Sequence, residues 1–163
     1  MTRASHDPAA RRAHGPEDSW VDGPHGRYWG RYGAAGLLLA HPEAGVLLQH
    51  RAAWSHHGGT WGLPGGARKA GETAAQAAIR EADEEASVPP HLVEVLELSV
   101  LDLGYWSYTT VVARSSEVFE PVVGDLESLE VRWVPLDEVS ALELHPGLVM
   151  AWPQLALRVH TLL

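Results

Sequence analysis

The chain contains no cysteine, which removes any disulfide framework or thiol chemistry and permits a reducing compartment. Basic residues are also scarce. Lys+Arg number 12 against Asp+Glu 21, and the formal charge of -9 argues against binding to nucleic-acid polymers or anionic membranes. Long apolar runs are missing too: the longest early one, residues 34–40, is far too short to span a bilayer. Residues 1–26 hold no apolar stretch of the kind a signal peptide requires, so a cytoplasmic location is expected. His41, His50, His145 and His160 show no zinc-ligand spacing, and no internal repeat is visible.

What is present suits one domain. With 163 residues, 45% hydrophobic, and seven tryptophans, the chain can bury one core of ordinary size and has no room for a second. Residues 1–26, rich in Pro, His, Gly, Ala and charge without periodicity, are expected to form a disordered tail, leaving 27–163 as the domain. Apolar runs at 32–40 and 46–49, separated by His41-Pro42-Glu43-Ala44-Gly45, predict a hairpin. Further strands are predicted at 61–63, 92–102, 106–113 and 131–134. From Pro146 onward, Leu148, Trp152, Leu155 and Val159 fall on one helical face, with Pro153 expected to kink or restart that helix.

The informative segment is 66–88. Thr73 and Gln76 form a capping-box pair, Glu72 puts negative charge near the start of the helix dipole, and Pro89-Pro90 stop the helix. Ala75, Ala78, Ile79, Ala82 and Ala86 draw a stripe of small residues that lets the helix lie close to a sheet. Beside it, Glu81, Glu84 and Glu85 stand at i, i+3 and i+4. Three carboxylates within one turn repel one another, and the arrangement becomes favourable when Mg²⁺ or Mn²⁺ sits among them. Upstream, Trp61-Gly62-Leu63-Pro64-Gly65-Gly66 predicts a strand ending in a double glycine, where backbone approaches a ligand without a Cβ in the way. A solvated Ala/Glu helix would explain neither the Pro-Gly-Gly ahead of it nor Arg80 beside the first acid.

Gly66, Glu72, Arg80, Glu81, Glu84, Glu85 and Val88 match a glycine, five residues, a glutamate, seven residues, then Arg-Glu-apolar-any-Glu-Glu-any-Gly-apolar. This resembles the Nudix box, and residues 54–66 are similar to actinobacterial MutT-type proteins. One defined position departs: the final glycine is Ser87, and a serine in a left-handed helix cap costs on the order of 1 kcal/mol. The resemblance implies an α/β (α+β) fold, a Nudix-type α/β/α sandwich with a mixed sheet and the box helix packed on it. It implies that Glu81, Glu84 and Glu85 hold Mg²⁺ with help from the Gly66 carbonyl. Glu81 or a later carboxylate would take the proton from attacking water. Gly65 would be structural. Arg80, on a different side of the helix from Glu81, is expected to pair with Glu72 and hold the loop against the helix. In the late loop Glu127 is the chosen additional acid, with Asp125 and Glu130 as close rivals.

An acidic protein must draw a phosphate substrate through metal and local arginines, so the expected partner is a small nucleotide, compatible with a homodimer. His56 and His57 precede the strand that enters the box and are placed at the substrate, with plain loop residues as the competing role. Trp106 and Tyr108, on one strand face, are placed at the nucleobase, with core packing as the competing role. Three functions follow from the resemblance: a nucleoside triphosphate diphosphohydrolase, a hydrolase of dinucleoside polyphosphates, ADP-ribose or nucleotide sugars, and a non-catalytic nucleotide sensor. The chain retains every box acid, which favours an enzyme. Residues 101–105 lack the proline that ADP-ribose enzymes carry after the box, whereas Tyr105 keeps the dinucleoside class open.

Overall fold

The computed structural model describes residues 15–163, and its first element corrects the expected tail. Trp20–Gly23 (β1) and Gly26–Trp29 (β2) form an antiparallel hairpin. Its partners are distant in sequence. Tyr28 stacks on Trp106 at 4.2 Å, the Trp106 indole N–H donates to the Trp29 carbonyl (3.2 Å), and the Tyr105 hydroxyl donates to Gly26 O (2.9 Å). Local polarity misleads here because the apolar partners lie 77 and 79 residues away. The rest of the expected tail, residues 1–14, lies outside the described residues.

Ala34–His41 (β3) is apolar at every position but its last, and Gly45–Arg51 (β4) is apolar through Leu48, as strands covered on both faces must be; Gln49-His50-Arg51 end β4 in polar residues. Their hairpin contact is short, since Trp61–Gly62 (β5) and Gly65–Ala67 (β6) enter between them: β6 pairs with β3 and β5 with β4. After the helix Ala74–Ala86 (α1), Val93–Asp102 (β7) and Ser107–Ser115 (β8) form the predicted antiparallel pair. β8 runs parallel to β3, and Ser128–Val134 (β9) is antiparallel to β4, giving a mixed seven-stranded sheet. The helix Pro146–Leu162 (α2) closes the described chain.

Strand alternation sorts the core into two layers. Ala35, Leu37, Leu39, Leu47, Val111 and Ala113 face α1, while Leu38, Ala40, Val46, Leu48 and Val112 face α2 with Trp152, Leu155 and Val159. The result is the α/β/α sandwich. Helix α1 presents Ala74, Ala77, Ala78, Ala82 and Ala86 as its deepest residues, whereas Ala75 and Ile79 are only partly buried. The helix is rotated from the predicted stripe because Glu81 and Glu85 are also drawn inward, at 5% and 3% exposure. Pro153 does not interrupt α2. It and Val149, whose carbonyl the proline leaves without an intrahelical donor, are both exposed, so water can serve that group.

Candidate active site

The Thr73 hydroxyl accepts from Gln76 N–H (3.1 Å) while the Gln76 side chain accepts from Thr73 N–H (3.0 Å), so α1 begins at the predicted capping box. One turn further along, Arg80 ties the preceding loop down. Its Nε and Nη2 donate to the two Glu72 carboxylate oxygens at 2.8 and 2.9 Å, and Nη2 also donates to Ala67 O at 3.1 Å. Glu72 accepts from Lys69 N–H as well, and the Arg80 bonds hold its carboxyl below the usual range. Arg80 does not point away from Glu81 as its place on the helix suggests: Nη1 donates to Glu81 Oε1 at 2.9 Å. The long side chain spans both acids, and its hydrogen bonds to Glu72 and then Glu81, with the charges of both, keep its guanidinium firmly protonated.

The acids divide unevenly. Glu81 lies beneath Gly66, where an added Cβ would meet its carboxylate at 2.8–3.0 Å. Glu85 Oε2 accepts from Gly65 N–H at 3.0 Å, so the double glycine sits directly against the helix acids. Glu84 is exposed and leans toward Arg80 (3.6 Å). Glu85, Asp125 and Glu127 come together, each offering an oxygen within 4.8 Å of the others. Both of the nearer late-loop rivals therefore reach the site. Glu130 lies on β9, exposed and 3.7 Å from Arg132.

What brings the late loop in is backbone. Val122 and Gly124 donate to Ala86 O (3.2 Å) and Glu85 O (2.9 Å) at the end of α1, satisfying carbonyls that a helix terminus leaves open. On its far side Ala52 N–H donates to Glu127 O at 2.7 Å, linking this loop to residues 52–60, which carry His56 and His57. Arg51 Nε donates to His56 O, bracing the same loop.

The aromatic residues are arranged differently from the simplest strand argument. Trp106 is 9% exposed, with a ring face taken by Tyr28, which leaves it as the anchor of the β1–β2 hairpin. Tyr108 is half-buried overall, but its phenol end is enclosed against Gly36. Burial, and then the Glu85 charge, push its pKa up to about 12 against the opposing effect of Arg51, so the hydroxyl remains a donor. His56 packs edge-on with Trp20 (5.5 Å) and His57 with His145 (4.6 Å). Burial, His57 and Arg51 lower the His56 pKa. Neither Trp20 nor His145 carries a local sequence signal for this neighbourhood. A groove of about 340 Å³ between β7 and α2, lined by Glu97, Ser99, Gln154 and Arg158 among others, includes none of these residues.

A mixed sheet between two helices, with buried helix carboxylates against a Gly-Gly strand and a late loop adding two more, defines a Nudix-type hydrolase domain. The sequence pattern described as the NUDIX domain matches residues 30–152. Over 157 residues, 90% of this chain and 72% of the relative, the chain is 48% identical to a Mycobacterium tuberculosis protein provisionally named 8-oxo-dGTP diphosphatase 3. It is 44% identical over 164 residues, 95% of this chain, to a Bifidobacterium longum nucleoside triphosphate pyrophosphatase/Nudix hydrolase fusion protein, of which it spans 34%. A crystal structure of a Nudix hydrolase from M. smegmatis, RenU, is 46% identical with TM-score 0.82, covering 90% of this chain and 97% of that one. The chain belongs to the Nudix family and is a hydrolase. Among the described residues no helix is long and apolar enough to cross a membrane.

Proposed function

We propose that this chain hydrolyses nucleoside or deoxynucleoside triphosphates, oxidised purine forms included, to the monophosphate and pyrophosphate with Mg²⁺ or Mn²⁺. The observation that carries this reading is the convergence of Glu85, Asp125 and Glu127 beside buried Glu81 and the bare backbone of Gly65 and Gly66. Similarity to the M. tuberculosis protein supports the choice of substrate. Hard carboxylate oxygens fit a divalent cation, and the missing Cβ at Gly66 leaves the Glu81 carboxylate its space. Such a cation, when bound, neutralises phosphate oxygens and acidifies a water. Glu85 and Asp125 are the holding residues in this proposal, with Glu81 and the Gly66 carbonyl assisting, which leaves Glu127 for the proton. Glu84, exposed and beside Arg80, is a peripheral contributor.

An ion-paired carboxylate is a weaker proton acceptor, and Glu81 Oε1 is bonded to Arg80. The proton from attacking water is therefore assigned to a Glu127 carboxylate oxygen. Arg80 positions Glu81 and the loop, and is not assigned to substrate. On the nucleoside side the proposal retains Tyr108, His56 and His57 and reassigns Trp106 to bracing. The test is a hydrolysis screen with Mg²⁺ over nucleoside triphosphates, oxidised dGTP, ADP-ribose, nucleotide sugars and dinucleoside polyphosphates, with products identified. Monophosphate plus pyrophosphate from a triphosphate is expected. Two monophosphates from ADP-ribose as the best reaction would overturn the substrate class, and tight nucleotide binding without turnover would make the chain a sensor.

A further inference from the structure

Ser87 stands where the box pattern has glycine, and it adopts the left-handed conformation, φ 55° and ψ 37°. A Cβ there is a local loss, which directs attention to what the side chain does in return. Its hydroxyl donates to Val122 O at 3.1 Å, across 35 residues of sequence. The bond completes a set. Glu85 O accepts from Gly124 N–H, Ala86 O accepts from Val122 N–H, and Ser87 then donates in the opposite sense. Gly124 itself lies so close to the Glu84 carbonyl that a Cβ there would collide with it. Three consecutive residues of the helix end thus grip one short segment. The next residue is Asp125, and Glu127 follows two later, the two loop acids that meet Glu85.

We propose that Ser87 is a positioning residue: its hydroxyl clasps residues 122–124 to the end of α1 and so holds Asp125 and Glu127 in register with Glu85. The inference rests on the metal reading of the proposed function. A glycine at this position would relieve the backbone strain but loosen the loop, leaving it on its backbone bonds alone. An alanine would keep the strain and also loosen the loop. Asparagine tolerates the left-handed region and carries an amide donor able to replace the hydroxyl. Conformational strain and loop position therefore separate across the three variants.

The experiment measures Mn²⁺ binding by titration of the free-ion electron paramagnetic signal, together with amide hydrogen exchange at Val122 and Gly124 in metal-free protein. A net hydrogen bond of ordinary strength corresponds to about two- to tenfold in an equilibrium. Ser87→Gly should weaken Mn²⁺ binding and speed exchange at both amides by about that factor, with an unchanged or raised melting temperature. Ser87→Ala should show the same losses with a lowered melting temperature, and Ser87→Asn should restore both metal affinity and amide protection. Unaltered Mn²⁺ affinity and unaltered exchange in Ser87→Gly would overturn the clasp. Unaltered Mn²⁺ affinity in Glu85→Gln would overturn the metal reading instead, and the exchange rates, which need no metal, would still decide for or against the clasp.

Discussion

Replacing Arg80 with alanine removes four hydrogen bonds at once: two to Glu72, one to Ala67 O and one to Glu81. The loss is one-sided. Glu72 and Glu81 keep their charges in largely buried surroundings, with side chains 13% and 7% exposed. Deleting one partner of a fully buried ion pair costs about 3–5 kcal/mol. Arg80 is 23% exposed, so water can partly replace it, and the expected cost falls to about 2–3 kcal/mol. For a domain of this size that lowers the melting temperature by about 4–12 °C. Arg80→Lys, which retains charge but not the planar fork, should lose about half as much. Thermal melts across pH supply a second check. Arg80 holds the folded Glu72 carboxyl below its ordinary 4.5, so this contribution is complete above pH 4.5 and fades as pH falls further. The gap between parent and Arg80→Ala should narrow over the same window. A variant that melts within about 1 °C of the parent at pH 7 yet loses turnover would refute the bracing argument and place Arg80 on the substrate.

Gly66→Ala puts a Cβ 2.8–3.0 Å from the Glu81 carboxylate, a flexible side-chain end that can move aside. The protein should remain folded while the Mg²⁺ concentration for half-maximal activity rises several-fold, which a metal titration measures. His145 caps α2 by accepting Gly147 N–H (3.0 Å), and burial, then the charges of His57, Arg51 and His56, lower its pKa to about 4. Its contribution is therefore complete above its ordinary 6.5 and lost as pH falls toward 4; at a partly exposed site it amounts to about 1–2 kcal/mol. His145→Asn, which keeps a capping acceptor, should flatten the dependence of melting temperature on pH between these values. Trp106→Leu should release the β1–β2 hairpin, costing about 2–4 kcal/mol and opening residues 20–29 to limited proteolysis. Altered substrate ranking with intact protease resistance would return Trp106 to the nucleobase.

The elements legible in advance are those whose causes are local. Thr73 and Gln76 satisfy each other within one turn, and the apolar runs of β3, β4, β7 and β8 declare themselves through their immediate neighbours. The Arg80–Glu72 pair was within reach for a similar reason, since only seven residues of loop and helix lie between them. The β1–β2 hairpin was not, because its stacking and hydrogen-bond partners, Tyr105 and Trp106, come from the connection between β7 and β8.

Sequence alone determined that helix α1 would begin at Thr73, carry three acids within one turn and follow a double glycine, because propensity, capping and spacing act over three or four residues. Tertiary structure alone decided which of those acids met others. Glu85 turns inward to Asp125 and Glu127 while Glu84, its immediate neighbour, stays in solvent. That choice depends on the rotation of α1 against the sheet and on bonds from residues 122–124 to the helix end. Neither is encoded in the spacing of the glutamates, since a rotation of one residue's arc about the helix axis exchanges the buried acid for the exposed one.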